Sequence, residues 1–342
     1  MKIERFIYIG DIHSANTFKS FIDYFDDGKT FFYLLGDVFD RWDSSAVNFE
    51  IIKKLHQENK LKGIFWNHDL MFAIWLNKNF KDKYIKDTYL GQLENSGWLA
   101  TLKDLKRYCS ENYLIYEDYI QEICDFILNN FNLYIIDSLN NLLIHGWFPV
   151  NENGYIWWES IEVDKEIPIF EEIKNLILFK EKEQIYLEGL ERMDYLNKWI
   201  KNLDSEILDH LSLNNPKYLY HMVFDTYKFN NEIIGTNEIY ERTHDEEVNP
   251  LRFNGNDYFK VPKMLETLKV FFKNKNINKL ILWHQWFYKE LEICKEEMIK
   301  NNIYLIDRSF KNISKEKGKN DIFGYMIVDR KNNLIDIKEY WN

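Results

Sequence analysis

The residues of this chain that could do chemistry fall in short clusters: GDIHS at 10–14, GDVFDRW at 36–42, WNHD at 66–69, LLIHGWFP at 142–149 and KLILWHQW at 279–286. Together they offer Asp11, His13, Asp37, Asn67, His145 and His284. Carboxylate, imidazole and amide oxygen suit borderline-to-hard divalent cations such as Mn, Fe or Zn and are wrong for soft Cu(I). Asp11 and His13 are two apart, so on an extended strand end they point to one side. Asp37 is the candidate for a central carboxylate bridging two cations. A pair of cations about 3.5–4 Å apart clamps the attacking and leaving oxygens of an in-line phosphoryl displacement, and lowers the pKa of a bridging water.

Such ligands need a scaffold that brings distant segments together. The first 70 residues alternate strand and helix patterns: Phe6–Ile9 extended, Asn16–Tyr24 helical, Phe31–Leu35 extended, Ser44–Gln57 helical, Leu61–Phe65 extended. This βαβαβ rhythm predicts an α/β fold with a mainly parallel sheet and helical crossovers. Each cluster follows an apolar, strand-like run. In open α/β sheets, ligands gather beyond the carboxyl ends of the strands, so the clusters could converge on one site. Residues 151–235 break the rhythm with long, charged, helix-patterned sequence and are expected to form a helical insertion beside the sheet. IYLIDRSF and FGYMIVDRKNNLIDIKEY predict further strands, with a hairpin turn at Lys331–Asn333.

Composition narrows the partners. With 342 residues and 46% hydrophobic residues the chain can bury a sizeable core. Its net charge of −11 argues against non-specific nucleic-acid binding, which needs an excess of Lys and Arg. Three cysteines, Cys109, Cys124 and Cys294, lack CxxC spacing and fit a reducing compartment. No apolar stretch reaches membrane-spanning length and the N-terminus lacks a signal pattern, so the expected setting is cytoplasmic, without a membrane partner.

Taken in order, GD-IH, GDVFDR, NHD, HG and WHQ resemble the signatures of the calcineurin-like metallophosphoesterases, specifically the phosphoprotein-phosphatase (serine/threonine phosphatase-like) branch. The matching segments frame residues 10–149 and 279–329. The resemblance implies a central mixed β-sandwich flanked by helices, the four-layer fold of that superfamily, as one domain over 1–342 with the helical insertion at about 151–235. It implies two divalent metal ions, one held by Asp11, His13 and the bridging Asp37, the other by Asp37, Asn67, His145 and His284. Manganese is the expected metal, with iron or zinc as alternatives. The resemblance also makes His68 the general acid, oriented and kept protonated by Asp40, and Arg41 a phosphate clamp through its planar fork. The family's second phosphate-binding arginine corresponds best to Arg242 in IYERTHDEEVNP, since YIWWES after the HG motif offers Trp158 and Glu159 but no arginine. The implied activity is hydrolysis of phosphomonoesters by a metal-activated water, on a phosphoprotein or small phosphoester.

Other readings stand beside this one. The NHDL stretch and the many tryptophans would also suit a dinucleoside polyphosphate or cyclic-nucleotide hydrolase. A degenerate, non-catalytic binding module is a third, because family glycines are replaced by Ser14, Trp42, Trp66 and Trp283. Where such a position needs φ > 0, a tryptophan is strongly disfavoured, so the backbone at the three tryptophans is expected to be permissive or rearranged. Trp42, Trp66, Trp147 and Trp283 would either wedge behind the strands or wall a cleft. Asp69 reads as a helix cap before LMFAIW. His56, His210 and His221 have no partner motif, and His244 draws notice only by its nearness to Arg242.

Overall fold

The computed structural model describes residues 2–39, 43–65, 68–69, 72–73, 76–78, 98–132, 134–145, 227–229, 232–235, 269, 272–273, 275–282, 299–306 and 323–340. These form an α/β structure built on two mixed sheets. The first sheet has the order β11-β10-β1-β2-β3. Its strands are β1 (Arg5–Ile9), β2 (Thr30–Leu34), β3 (Leu61–Gly63), β10 (Phe323–Asp329) and β11 (Leu334–Tyr340). Strands β1, β2 and β3 run parallel, as the βαβαβ rhythm requires, with α1 (Thr17–Phe25) and α2 (Ser45–Gln57) as crossovers. Strand β10 is antiparallel to β1, and β11 to β10, which makes the sheet mixed.

The second sheet has the order β4-β5-β8-β9, from β4 (Tyr134–Ile136), β5 (Asn141–Ile144), β8 (Lys279–Leu282) and β9 (Ile303–Leu305). Strands β5, β8 and β9 are parallel and β4 pairs antiparallel with β5. Two further helices, α3 (Trp98–Glu111) and α4 (Tyr116–Asn130), precede this sheet in the chain. Among the described residues no helix is long and apolar enough to cross a membrane.

The alternation of side chains along the strands explains the layering. Phe6, Tyr8, Tyr33, Met326 and Val328 of the first sheet share one buried cluster with Ile135, Leu143, Ile281 and Tyr304 of the second, so the sheets pack face to face. The residues between them in sequence, Ile7, Ile9, Phe32 and Leu34, are also buried, on the opposite face. There α1 closes the layer: the rings of Phe18 and Phe21 meet Phe323 edge-on at 6.2 and 5.1 Å. Both faces of these strands are covered, which is why they read as continuous apolar runs rather than as alternating ones.

At the end of β3 a side chain would have no room. A Cβ on Gly63 would lie 2.5 Å from the Phe131 ring that follows α4.

One expectation changes. Residues 227–235 fall within the stretch expected to be helical, yet β6 (Tyr227–Phe229) and β7 (Glu232–Gly235) form an antiparallel pair. The charged composition that reads as a solvated helix is equally compatible with a short hairpin whose pairing partner is adjacent in sequence. The rest of the expected insertion, 151–226, lies outside the described residues.

Candidate metal centre

The carboxyl ends of the parallel strands converge. Asp11 follows β1, Asp37 follows β2, His68 follows β3 and His145 follows β5 directly. The His13 Nε2 lies 3.4 Å from Asp11 Oδ2 and 3.9 Å from Asp37 Oδ2. The His145 Nε2 is 3.7 Å and the His68 Nε2 3.9 Å from that same Asp37 oxygen. His145 Nδ1 is 3.6 Å from Asp11 Oδ1. Asp37 thus stands at the centre, with imidazoles from three different loops around one carboxylate oxygen. All but Asp11 are buried, and Asp37 and His145 are wholly so.

This donor set fits a divalent cation. Asp11, His13 and Asp37 each present a ligating atom within 4.8 Å of the others. Ligands held about 2.0–2.2 Å from one ion lie roughly 3–4 Å from each other, which is the spacing found here. The His145 ring is held in a fixed orientation. Its Nδ1 approaches the Leu35 carbonyl at 2.5 Å, so Nδ1–H donates to that oxygen and Nε2 keeps its lone pair facing Asp37. The charge balance points the same way. Burial pushes the Asp37 carboxyl up to about 7; His68 opposes this, while the Asp11 charge adds to it. A positive ion among these oxygens reverses that penalty.

The first two of the loops that carry these residues are strained, and the first three are interlocked. His13, Ser14 and Asp37 have φ of 40°, 60° and 47°, in the left-handed region that non-glycine residues rarely occupy. Residues 12–15 form a tight turn, closed by Ala15 N–H donating to Ile12 O at 2.7 Å. His13 N–H donates to Asp37 O at 2.9 Å and Ser14 N–H to Val38 O at 2.8 Å, tying the first loop to the second. The His68 N–H reaches Asp37 Oδ1 at 3.3 Å, which ties in the third. Such strain, of order 1–3 kcal/mol per residue, persists only where the surroundings enforce it, and it clusters at functional sites.

Ser14, at one of the glycine-like positions, is left-handed with a serine in it; the tryptophan positions, for which a permissive or rearranged backbone is expected, lie outside the described residues. The hydroxyl is used: Ser14 Oγ and Ser45 Oγ are 2.5 Å apart, and Ser45 Oγ donates to Thr101 Oγ1 of α3 at 3.1 Å. Next to it, Asp104 Oδ2 accepts from Ala46 N–H at 3.0 Å and so caps α2 from α3.

Asp69 has a long-range partner that its plain alternative as a helix cap does not include. Its carboxylate, fully buried, accepts from Val38 N–H at 2.9 Å and Phe39 N–H at 3.4 Å, in the Asp37 loop. The signal was an acidic residue after a motif histidine, but nothing in sequence reveals that its partner lies 31 residues away. His56, to which no role is assigned, packs edge-on against Phe126 at 5.4 Å. Asp40, Arg41, Asn67, Arg242 and His284 lie outside the described residues, as do Trp42, Trp66, Trp147 and Trp283.

The sequence matches no protein-family model and no curated protein. Among solved structures, the chain is similar to a protein serine/threonine phosphatase from Saccharomyces cerevisiae, itself described as similar to human phosphatase PP5. The likeness has a TM-score of 0.44 at 12% identity and covers 99% of this chain and 80% of that one.

Proposed function

We propose that this protein is a divalent-metal-dependent phosphoesterase that hydrolyses phosphomonoesters, with a serine/threonine-phosphatase type of site. The observation that carries the reading is the meeting of Asp11, His13, Asp37, His68 and His145 from four strand ends, with three imidazoles around one buried oxygen of Asp37. The order of the sequence motifs supports it independently.

On this reading Asp11, His13 and Asp37 hold one cation, and Asp37, His145, Asn67 and His284 hold a second. When bound, the two ions supply an activated water and neutralise charge on the phosphoryl oxygens. The chain's own groups do the rest. His145 presents Nε2 because Leu35 O fixes its tautomer. Arg41 and Arg242 hold the phosphate oxygens by paired N–H donors. His68 delivers a proton to the leaving alkoxide, with Asp40 orienting its ring. The His68 ring stands edge-on to His13, 5.2 Å between centroids, so it reaches the same space as the ligands. Its distances serve a ligand or an acid equally well, and one variant separates the two roles.

The test is hydrolysis with Mn²⁺. Wild-type protein is expected to bind two Mn²⁺ and to cleave p-nitrophenyl phosphate and a phosphoserine peptide. His68→Ala should retain both ions and lose turnover on the peptide by about 10²–10⁴, the usual worth of general acid catalysis. The loss should shrink for p-nitrophenyl phosphate, whose leaving group barely needs a proton. An inactive wild type with both ions bound would sink the catalytic reading and leave the binding-module reading. Loss of an ion in the His68 variant would make His68 a ligand.

A further inference from the structure

The loop that carries Asp37 has an unusual support. Gly36 and Asp37 are consecutive left-handed residues, at φ 100° and 47°, and such a turn aims the following amides in one direction. Those amides, Val38 and Phe39, both donate to a single oxygen, Oδ1 of Asp69. The same turn delivers the Asp37 carbonyl to His13 N–H and the Val38 carbonyl to Ser14 N–H. Asp69 makes none of these latter bonds among those described, yet they exist only while the turn keeps its strained form. Its side chain is wholly buried, so water cannot take over its role cheaply.

We propose that Asp69 is a positioning residue: its carboxylate fills the concavity formed by the Val38 and Phe39 amides, locks Asp37 in the left-handed conformation, and through that turn sets the separation of Asp37 from His13, His68 and His145. This rests on the metal-site reading above for its functional meaning, but its geometry can be tested without metal. Asparagine keeps an Oδ1 that can accept both amides, so Asp69→Asn preserves the lock, whereas Asp69→Ala removes it. Asp104→Ala is the matched control, since it also deletes a buried carboxylate that accepts a backbone amide, outside the metal loops.

The experiment is amide hydrogen exchange on the metal-free protein, followed by Mn²⁺ titration calorimetry. In Asp69→Ala the His13 and Val38 amides should exchange at least about tenfold faster than wild type when scaled to Ile64, whose N–H donates to Leu34 O. Asp69→Asn should stay within about threefold of wild type, and Asp104→Ala should leave the His13-to-Ile64 ratio unchanged. Mn²⁺ affinity should fall about 10–100-fold in Asp69→Ala only, the usual cost of losing a group that orients a ligand. An unchanged His13-to-Ile64 ratio in Asp69→Ala overturns the proposal, as does an Asp69→Asn that behaves like Asp69→Ala. A wild type that binds no Mn²⁺ removes the metal reading instead, and the exchange ratio still decides whether Asp69 holds the loop. Should Asp69→Ala not fold, Asp69→Ser, with a hydroxyl too short for both amides, takes its place under the same criteria.

Discussion

Asp37 and Asp137 are both buried carboxylates at the end of a strand, one at each end of the two-sheet sandwich, and their surroundings are opposite in kind. Asp137 is enclosed in short hydrogen bonds. It accepts from the amides of Leu139 and Asn141 at 2.8 Å each, from Tyr8 OH at 2.5 Å and from Asn141 Nδ2 at 3.1 Å. Asn141 continues to Asn332 in the β10–β11 turn, and Lys279 Nζ donates to Asn332 O at 2.6 Å. These bonds staple the first sheet to the second. Around Asp37 the imidazoles stand at 3.7–3.9 Å, beyond direct hydrogen-bond range, and the backbones of Asp37 and His13 are left-handed. One end spends its buried charge on stability. The other holds its charge at a spacing that favours a third party.

The largest effect should come from exchanging the fates of the two acids. Asp137→Ala strands two backbone amides and the Tyr8 hydroxyl, so it should cost about 3 kcal/mol or more in urea unfolding, while Mn²⁺ affinity per folded molecule stays that of wild type. Asp37→Ala should do the reverse: Mn²⁺ uptake is lost, and metal-free stability stays within about 1 kcal/mol because a costly buried charge has gone. Equal losses of stability from both variants would erase the contrast.

A smaller effect sharpens it through pH. Burial, and next the Asp137 charge, push the Tyr8 hydroxyl well above the ordinary tyrosine range. A raised folded-state pKa means that the contribution is fully present below the unfolded value, about 10, and is lost as pH rises beyond it. Wild-type stability should therefore fall above about pH 10, and Tyr8→Phe should fall less steeply there, while being about 1 kcal/mol less stable at pH 7. Some slope should remain, because Tyr33 and Tyr119 are shifted the same way. Urea midpoints at pH 7 and 10.5 check both halves. An identical alkaline slope in the two proteins would remove Tyr8 from the account.

The smallest effect concerns Ser14, where strain and hydrogen bonding offset each other. Ser14→Ala keeps the left-handed backbone and loses the bond to Ser45, so it should cost about 1 kcal/mol. Ser14→Gly loses the same bond but relieves the backbone by about 1 kcal/mol, bringing it near wild type. A glycine variant no more stable than the alanine variant would mean that φ 60° at this position carries no strain.

Much of this was legible in the chain itself. The apolar runs ending in Gly-Asp or His-Gly set out β1, β2 and β5 and the polar residues that follow them, because a strand buried on both faces must be apolar throughout and its polar residues can only sit at its ends. The helix boundaries of α1 and α2 came within a residue of their expected places. The two-strand pair at 227–235 was not legible, since pairing between short strands depends on contacts rather than on composition.

What the sequence determined by itself is local and periodic: which segments are strands, which residue types stand at their ends, and hence that oxygen and imidazole ligands are on offer. What only the tertiary structure decided is which of them meet and who holds them in place. The NHD motif names His68 and Asp69 as neighbours, yet one turns to Asp37 Oδ2 and the other to the amides of Val38 and Phe39. The serine at 14 gives no hint that it adopts φ 60° or that it bonds to Ser45. The physical reason is that these side-chain hydrogen bonds and left-handed turns have partners about 30 residues away in sequence, brought near only when the strands of the first sheet have paired.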